Sequence, residues 1–107
     1  NHKRSFCYIG DAVSMMILLM KNSKAVNRTY NLGDPNNEIS ILNLAKKLIK
    51  FSKSNKKIIK INHENFSVQR RLPDIKKILE DTRFKKKSNF DINLRKTYDW
   101  YEKNLSI

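Results

Sequence analysis

Cysteine and glycine are scarce in this chain of 107 residues, and each scarcity excludes a class of site. A single cysteine, Cys7, permits neither an internal disulfide nor a zinc site built from several thiolates. Two glycines, Gly10 and Gly33, are too few for the glycine-rich loops that hold dinucleotides or nucleoside triphosphates. Neither a dinucleotide-binding loop nor a P-loop can therefore lie in this chain.

Long apolar runs and paired histidines are also missing. The longest apolar run, residues 15–20, is far too short to span a bilayer, and no signal peptide is evident. We therefore expect a cytoplasmic protein without a membrane anchor. His2 and His63 are too far apart to indicate a metal pair, and His63 is expected to be a surface residue rather than a base. The first residue is Asn1 rather than Met, which is consistent with a fragment of a larger protein.

Acidic residues are outnumbered 23 to 10 by Lys and Arg, and the formal net charge is +13. Such an excess is typical of nucleic-acid binders, and a small basic nucleic-acid-binding module is one interpretation. Lysines make up 17 of the 23 basic residues, however, and aromatic residues are not interleaved with them as a stacking surface requires. Lys, Asn and Ile, which share AT-rich codons, account for 42 residues. Solvated lysine-rich faces are therefore the favoured interpretation.

The hydrophobic pattern predicts alternating strands and helices, and thus an α/β fold. Strands are predicted over residues 4–9, 29–32 and 57–61, with a loop over 62–73. Four helices are predicted, capped or opened by acidic or hydroxyl side chains at Asp11, Ser40, Asp74 and Asp91. The first of these helices, residues 12–20, is apolar on nearly every side. So short a chain could hardly bury that helix alone, which suggests that it packs against another domain.

No catalytic constellation is evident. There is no defensible Ser-His-Asp set, no matched pair of carboxylates and no Tyr-x-x-x-Lys dyad. Cys7 is interpreted as a small buried hydrophobic residue rather than a nucleophile. Three arginines, Arg4, Arg70 and Arg71, have the forked guanidinium groups that suit a diphosphate. Spacing alone would favour solvent-facing arginines.

Five segments, taken together and in order, resemble the extended short-chain dehydrogenase/reductase enzymes that act on nucleotide sugars. Arg4-Ser5-Phe6-Cys7-Tyr8-Ile9-Gly10-Asp11 is similar to the family's R-S-F-x-Y-V-x-D segment, which leads into an apolar helix. The other four segments are Tyr30-Asn31-Leu32-Gly33, Ile39-Ser40-Ile41-Leu42-Asn43-Leu44-Ala45, Arg70-Arg71-Leu72-Pro73-Asp74-Ile75 and Leu94-Arg95-Lys96-Thr97-Tyr98-Asp99-Trp100-Tyr101. The fourth is similar to the R-R-x-P-D-I segment of UDP-glucuronate decarboxylases and dTDP-glucose 4,6-dehydratase-like enzymes. Arg83-Phe84 departs from the family, which has Gly-Trp after the short helix.

The resemblance implies that residues 1–107 are the C-terminal substrate-binding portion of a Rossmann-type enzyme. The N-terminal dinucleotide-binding core would lie outside this chain, together with the NAD site and the Tyr-x-x-x-Lys dyad. Carried over by position, Arg4 and one or both of Arg70 and Arg71 would contact the diphosphate or ribose of a nucleotide-sugar substrate. Phe6 and Tyr8 would support that site.

The same resemblance implies an epimerase, dehydratase or decarboxylase that oxidises the sugar transiently at C4. The complete enzyme would be a homodimer that uses NAD and needs no metal. The isolated chain would be inactive.

Overall fold

The computed structural model describes residues 2–61, 68–87 and 89–105. Two 3-10 turns, Ser23–Ala25 and Pro35–Asn37, lie in the long connection between the first helix and the second strand. The strands and helices are, in chain order, β1 (Lys3–Ser5), α1 (Ile9–Met20), β2 (Glu38–Ser40), α2 (Ile41–Ser52), β3 (Arg70–Arg71), α3 (Lys76–Thr82) and α4 (Phe90–Asn104). The mixed content confirms the predicted α/β class.

The three strands form one sheet in the order β2-β1-β3. β2 runs antiparallel to β1, with Arg4 opposite Ile39 and Ser5 opposite Glu38. β3 runs parallel to β1, with Arg4 opposite Arg71. Since α1 and α2 separate β1 from β3, the parallel pair is joined by a long crossover, as parallel strands require. In this order the N-terminal strand, β1, is the central strand of the sheet.

Two predicted strands are wrong, and one predicted loop contains a strand. Residues 29–32 form no strand. Side-chain hydrogen bonds connect them to α3 instead: Tyr30 Oη donates to Asp81, and Lys77 Nζ donates to the Thr29 carbonyl. Residues 57–61 form no strand either, since no described strand pairs with them and Ile59 is 82% exposed. Of the predicted loop, residues 62–67, His63 among them, lie outside the described residues, and residues 70–71 form β3.

Of the four predicted capping residues, only Ser40 occupies the N-cap position of its helix. Ser40 Oγ accepts a hydrogen bond from the Asn43 amide and begins α2, as predicted. Asp74 lies one residue before the N-cap of α3, Ile75, although its Oδ1 accepts a hydrogen bond from the amide of Lys76 in the first turn. α1, however, begins at Ile9, because the Tyr8 carbonyl already accepts the Ala12 amide. The predicted strand 4–9 is therefore cut short at Ser5, and Asp11 lies in the first turn instead of capping it. α4 is capped by Asn89 rather than opened by Asp91.

The hydrophobic core is small and lies where α1 packs against α3. Met15, Ile75 and Ile78 are its buried members. Partly buried residues surround them, namely Cys7, Leu19, Tyr30, Leu32 and Phe84. Arg83 caps the C-terminus of α3, and its φ of 54° is left-handed at a position where the resembling family has glycine. The turn therefore forms with arginine in place of glycine, at some conformational cost.

Helix α1 presents an apolar surface that the rest of the described chain does not cover. Only Ala12 and Met15 of this helix are buried. Six large apolar side chains of α1 are exposed to between 37% and 86%: Ile9, Val13, Met16, Ile17, Leu18 and Met20. A helix that is apolar all round is normally buried on more than one face. None of the helices in the described part of the chain is both long and apolar enough to cross a bilayer.

Candidate anion-binding site

The sheet register separates the two neighbouring arginines that the sequence could not distinguish. Side chains alternate between the faces of a sheet along each strand, and residues opposite each other share a face. Arg4 and Arg71 are opposite each other, so they share one face. Arg70 is opposite Lys3 and shares the other face. Glu38 lies on that second face too, because it is opposite Ser5.

Arg70 is committed to an acidic partner. Its Nε and Nη2 donate to the two carboxylate oxygens of Glu38 at 2.5 and 3.1 Å, a bidentate ion pair. The Glu38 side chain is only 18% exposed, whereas that of Arg70 is 62% exposed. The hydrogen bond from Arg70 lowers the pKa of Glu38 below its ordinary value, with a smaller contribution from the charge of Lys3. The geometry therefore gives Arg70 a structural partner.

Arg4 and Arg71 form the opposite arrangement, two cations side by side. Arg4 is partly buried and uses Nη1 to donate to the Lys3 carbonyl at 2.7 Å. Arg71 is exposed, and within the described residues no hydrogen bond or ion pair involves its guanidinium. Like charges at opposed positions of a sheet repel each other, so an anion between them would be stabilising. The structure thus brings together two of the three predicted arginines on a face that lacks a described carboxylate partner for Arg71.

Tyr8, the fourth predicted site residue, lies at the start of α1 and not on this face of the strands. Its side chain lines a cavity of about 400 Å³, together with Phe6 and Cys7. The other residues around that cavity come mostly from α2 and α4 and are largely apolar or aromatic: Asn37, Leu44, Leu48, Phe90, Asn93, Leu94, Thr97, Tyr98 and Tyr101. None of the three predicted arginines is among them. Phe6 and Tyr8 therefore adjoin a cavity beside the sheet, and their supporting role stays a prediction.

A stability measurement against pH should report the Arg70–Glu38 pair. Because the folded pKa of Glu38 is lowered, the pair stabilises the fold above the unfolded pKa and is lost as the pH falls through the folded pKa. We expect Glu38→Gln to be less stable than the wild type by a constant amount from pH 7 to about 5, with the gap closing below about pH 4.3. Urea unfolding of both proteins at several pH values measures this. A gap that widens on acidification would contradict the assignment.

Cys7 is partly buried against the core rather than fully buried as predicted, and its surroundings disfavour the thiolate. Burial, and then the nearby carboxylates of Asp34 and Asp11, raise the pKa of the Cys7 thiol, against a smaller opposing effect of Lys86. The thiolate is the reactive form of cysteine. We therefore expect iodoacetamide to modify the native protein much more slowly at pH 7.5 than the urea-unfolded protein. Equal rates in the two states would show that Cys7 is neither protected nor perturbed.

The sequence interpretation missed Glu38 and an ion pair that connects the 83–87 segment to the turn before β2. Lys86 Nζ lies 2.6 Å from Asp34 Oδ2 and 3.0 Å from Asn37 Oδ1. Glu38 and Asp34 are two of only three acidic residues in positions 1–45. That scarcity was the only sign in the sequence that either residue has a specific role. Their partners are distant along the chain, so spacing could not reveal them.

The described residues offer no site for a metal or for NAD. No group of three or more His, Cys, Asp or Glu side chains that could hold a metal occurs among them. Of the two glycines in the chain, Gly10 lies within α1, and Gly33 packs so closely on the Pro73 ring that a Cβ would be 2.7 Å from it. Neither glycine belongs to a loop that could hold a dinucleotide. The described residues therefore form no glycine-rich loop of the kind that holds NAD.

Comparison with known proteins gives two kinds of match. No family model matches the chain. A segment of 44 residues is 39% identical to UDP-D-apiose/UDP-D-xylose synthases 1 and 2 of Arabidopsis thaliana, and it covers 40% of this chain but 11% of each plant enzyme. The fold matches the crystal structure of dTDP-glucose 4,6-dehydratase from Bacillus anthracis, determined in complex with NAD, with a TM-score of 0.78 and 25% identity. That match covers 96% of this chain and 32% of the dehydratase.

These matches, one in sequence and one in fold, are to nucleotide-sugar enzymes of the kind that the five sequence segments resemble. The relatives are nucleotide-sugar enzymes, which confirms the resemblance inferred from the five sequence segments. The fold agrees with part of a Rossmann-type member of the family, about a third of its length. The chain thus spans well under two thirds of each of these relatives. The bound NAD of the dehydratase indicates that the family uses this coenzyme.

Proposed function

We propose that residues 1–107 form the substrate-binding portion of an NAD-dependent nucleotide-sugar dehydratase, epimerase or decarboxylase. The observation that supports this most strongly is the pairing of Arg4 with Arg71 on one face of the sheet. Two guanidinium forks from separate strands can hold the two phosphates of a sugar nucleotide and fix its register. Arg70 drops out of the proposed ligand set, because Glu38 already accepts from the Nε–Nη2 edge of its guanidinium.

The role of this portion is binding and orientation. In the complete enzyme NAD would supply the transient oxidation of the sugar, at a site formed by residues outside this chain. Arg4 and Arg71 would hold the diphosphate, and the cavity beside Phe6 and Tyr8 would exclude water from the neighbouring part of the ligand. The uncovered apolar residues of α1 would pack against the dinucleotide-binding domain, which removes them from water. A homodimer of the complete enzyme remains a prediction.

A binding experiment separates the two halves of this proposal. We expect the 107-residue chain to bind UDP weakly by isothermal titration calorimetry and to bind no NAD, with no coenzyme reduction when a UDP-sugar is added. Uridine, which has no phosphate, serves as the matched control and should not bind detectably. Reduction of NAD by the isolated chain, or UDP binding no tighter than that of uridine, would contradict the proposal.

The alternative function, a nucleic-acid-binding module, would depend on different residues and on the salt concentration. It would use the lysines in and after α2, and its affinity would fall steeply with salt as counterions are released. One of these lysines, Lys47, is already paired with Asp91 at 2.7 Å. A fluorescence titration with labelled single- and double-stranded oligonucleotides at two salt concentrations tests it. We expect weak, sequence-independent binding that 0.2 M salt abolishes, and tight binding at that salt would favour the alternative.

A further inference from the structure

Glu38 and its ion-pair partner Arg70 lie on the two opposite edge strands of the sheet. Glu38 is on β2 and Arg70 is on β3, with β1 between them. Strands in a sheet are about 4.8 Å apart, so the two side chains must meet over β1, a span of about 10 Å between outer backbones. The residue of β1 opposite Glu38 is Ser5, whose small side chain turns to the Asp34 carbonyl. This leaves room for the longer side chains to meet above it.

Within β3 itself, little besides this ion pair holds the register, and the nearest buried anchor is Ile75, which lies four residues beyond Arg71 in the core. β3 is two residues long and pairs with β1 on one side only. Both of its residues are exposed, so no buried apolar side chain fixes the strand in place. The neighbouring backbone bond from the Lys3 amide to the Gln69 carbonyl, 2.8 Å, extends the pairing by one residue. Registers are weakly specified where no hydrophobic face is buried.

A register error in β3 would exchange the roles of two arginines. Because side chains alternate with a period of two, a slip of one residue would move Arg70 to the face of Arg4 and Arg71 to the other. The bidentate pair with Glu38 opposes that slip, since it holds Arg70 on the face of Glu38. With Arg70 held there, alternation places Arg71 beside Arg4.

We propose that Glu38 is a positioning residue for the anion site: its ion pair with Arg70, formed across β1, fixes the register of β3 and places Arg71 beside Arg4. Glu38 and Arg70 themselves do not contact the ligand. This inference rests on the proposed function for its choice of ligand, a nucleoside diphosphate. It assigns the two adjacent arginines different tasks, one structural and one in binding.

The sign of the effect of Glu38→Gln distinguishes this role from the simpler one. If Arg70 were itself a phosphate ligand, loss of the Glu38 charge would free a cation and raise the affinity for UDP. Removal of a negative charge near an anion site also favours binding on purely electrostatic grounds. The positioning role predicts the opposite: UDP affinity falls about tenfold, the usual effect of misplacing one charged hydrogen-bonding group.

The charge exchange Glu38→Arg with Arg70→Glu provides the rescue test in the 107-residue chain. This double variant restores an ion pair across β1 with reversed polarity and leaves the net charge unchanged. We expect it to bind UDP within about threefold of the wild type, whereas Arg70→Glu alone loses about tenfold or more. Circular dichroism confirms that each variant is folded. A double variant as weak as Arg70→Glu alone, or an affinity gain in Glu38→Gln, would overturn the positioning role.

A register measurement keeps this inference separate from the proposed function. Nuclear Overhauser contacts between the β1 and β3 backbones report the Arg4–Arg71 register without any ligand. We expect them in the wild type and in the charge-exchanged protein, and expect them weakened in Glu38→Gln. Should the wild type fail to bind UDP, the proposed function fails, yet these contacts still decide the role of Glu38. Unchanged contacts in Glu38→Gln would overturn it.

Discussion

Replacing Arg4 and Arg71 together with glutamine is expected to lower the affinity for UDP by about 100-fold or more, since hydrogen bonds to charged groups contribute about 1.5–3 kcal/mol each. Glutamine keeps most of the side-chain length but removes the charge and the fork. The two single variants should each lose about tenfold or more, and their effects need not add, because both arginines would act on one diphosphate. Isothermal titration calorimetry with UDP measures all three.

A matched control removes the same amount of charge elsewhere. Lys46 and Lys50 are exposed on α2, so Lys46→Gln with Lys50→Gln lowers the net charge by two without touching the sheet. We expect this double variant to bind UDP within about twofold of the wild type in 0.15 M salt, where the screening length is about 8 Å. Equal losses in the two double variants would mean that UDP responds to overall charge, and the specific site would be wrong.

Truncation of Ile78 to alanine should have the largest effect on stability. Ile78 is fully buried and belongs to a core whose other buried members are Met15 and Ile75. Removing a buried isoleucine side chain costs about 2–5 kcal/mol, through lost burial and the cavity left behind. Because a core of this size leaves little reserve, we expect the variant to be largely unfolded at 37 °C. Urea and thermal unfolding followed by circular dichroism measure the loss.

The control for the core is another isoleucine. Ile59 is 82% exposed, and Ile59→Ala should change the free energy of unfolding by about 0.5 kcal/mol or less. If both variants lost the same stability, the α1–α3 core would not be where the chain is held together.

Local signals in the sequence predicted the helices better than the strands. Ser40 was identified as a capping residue because a cap acts within three residues of the helix that it begins, and Asp74, one residue before the N-cap of α3, still accepts a first-turn amide. A strand instead needs a partner that can be distant in sequence. The apolar alternation around Ile59 indicated a strand, but no described strand pairs with this segment. Conversely, Arg70-Arg71 has no apolar residue that would predict a strand, yet the two residues form one because their backbone pairs with β1.

The candidate site was predictable as a set of residue types and not as an arrangement. Family resemblance singled out Arg4, Arg70 and Arg71, but two adjacent arginines have the same local signal. Only the register of β3 against β1 assigns them to opposite faces. Glu38 was not singled out at all, because its partner lies 32 residues away and the connection crosses a third strand. Charge composition was similarly uninformative, since most of the +13 is lysine outside the sheet.

The exposed apolar surface of α1 was expected from the sequence and is present in the structure. A helix apolar on nearly every side was expected to require another domain, and six of its large apolar side chains are exposed in the structure. The dehydratase whose fold the chain matches is about three times as long, so it contains ample chain to cover such a helix. We expect the isolated chain to self-associate at high concentration for the same reason.

An NMR titration with UDP would show whether a nucleoside diphosphate binds on the sheet face of Arg4 and Arg71. The Nε–H resonances of all six arginines of the ¹⁵N-labelled chain would be followed while UDP is added. We expect saturable shifts for the Arg4 and Arg71 resonances and little change for that of Arg70, because Glu38 holds its side chain. Shifts centred on Arg70, or confined to the lysine-rich segment at and after the end of α2, would contradict it.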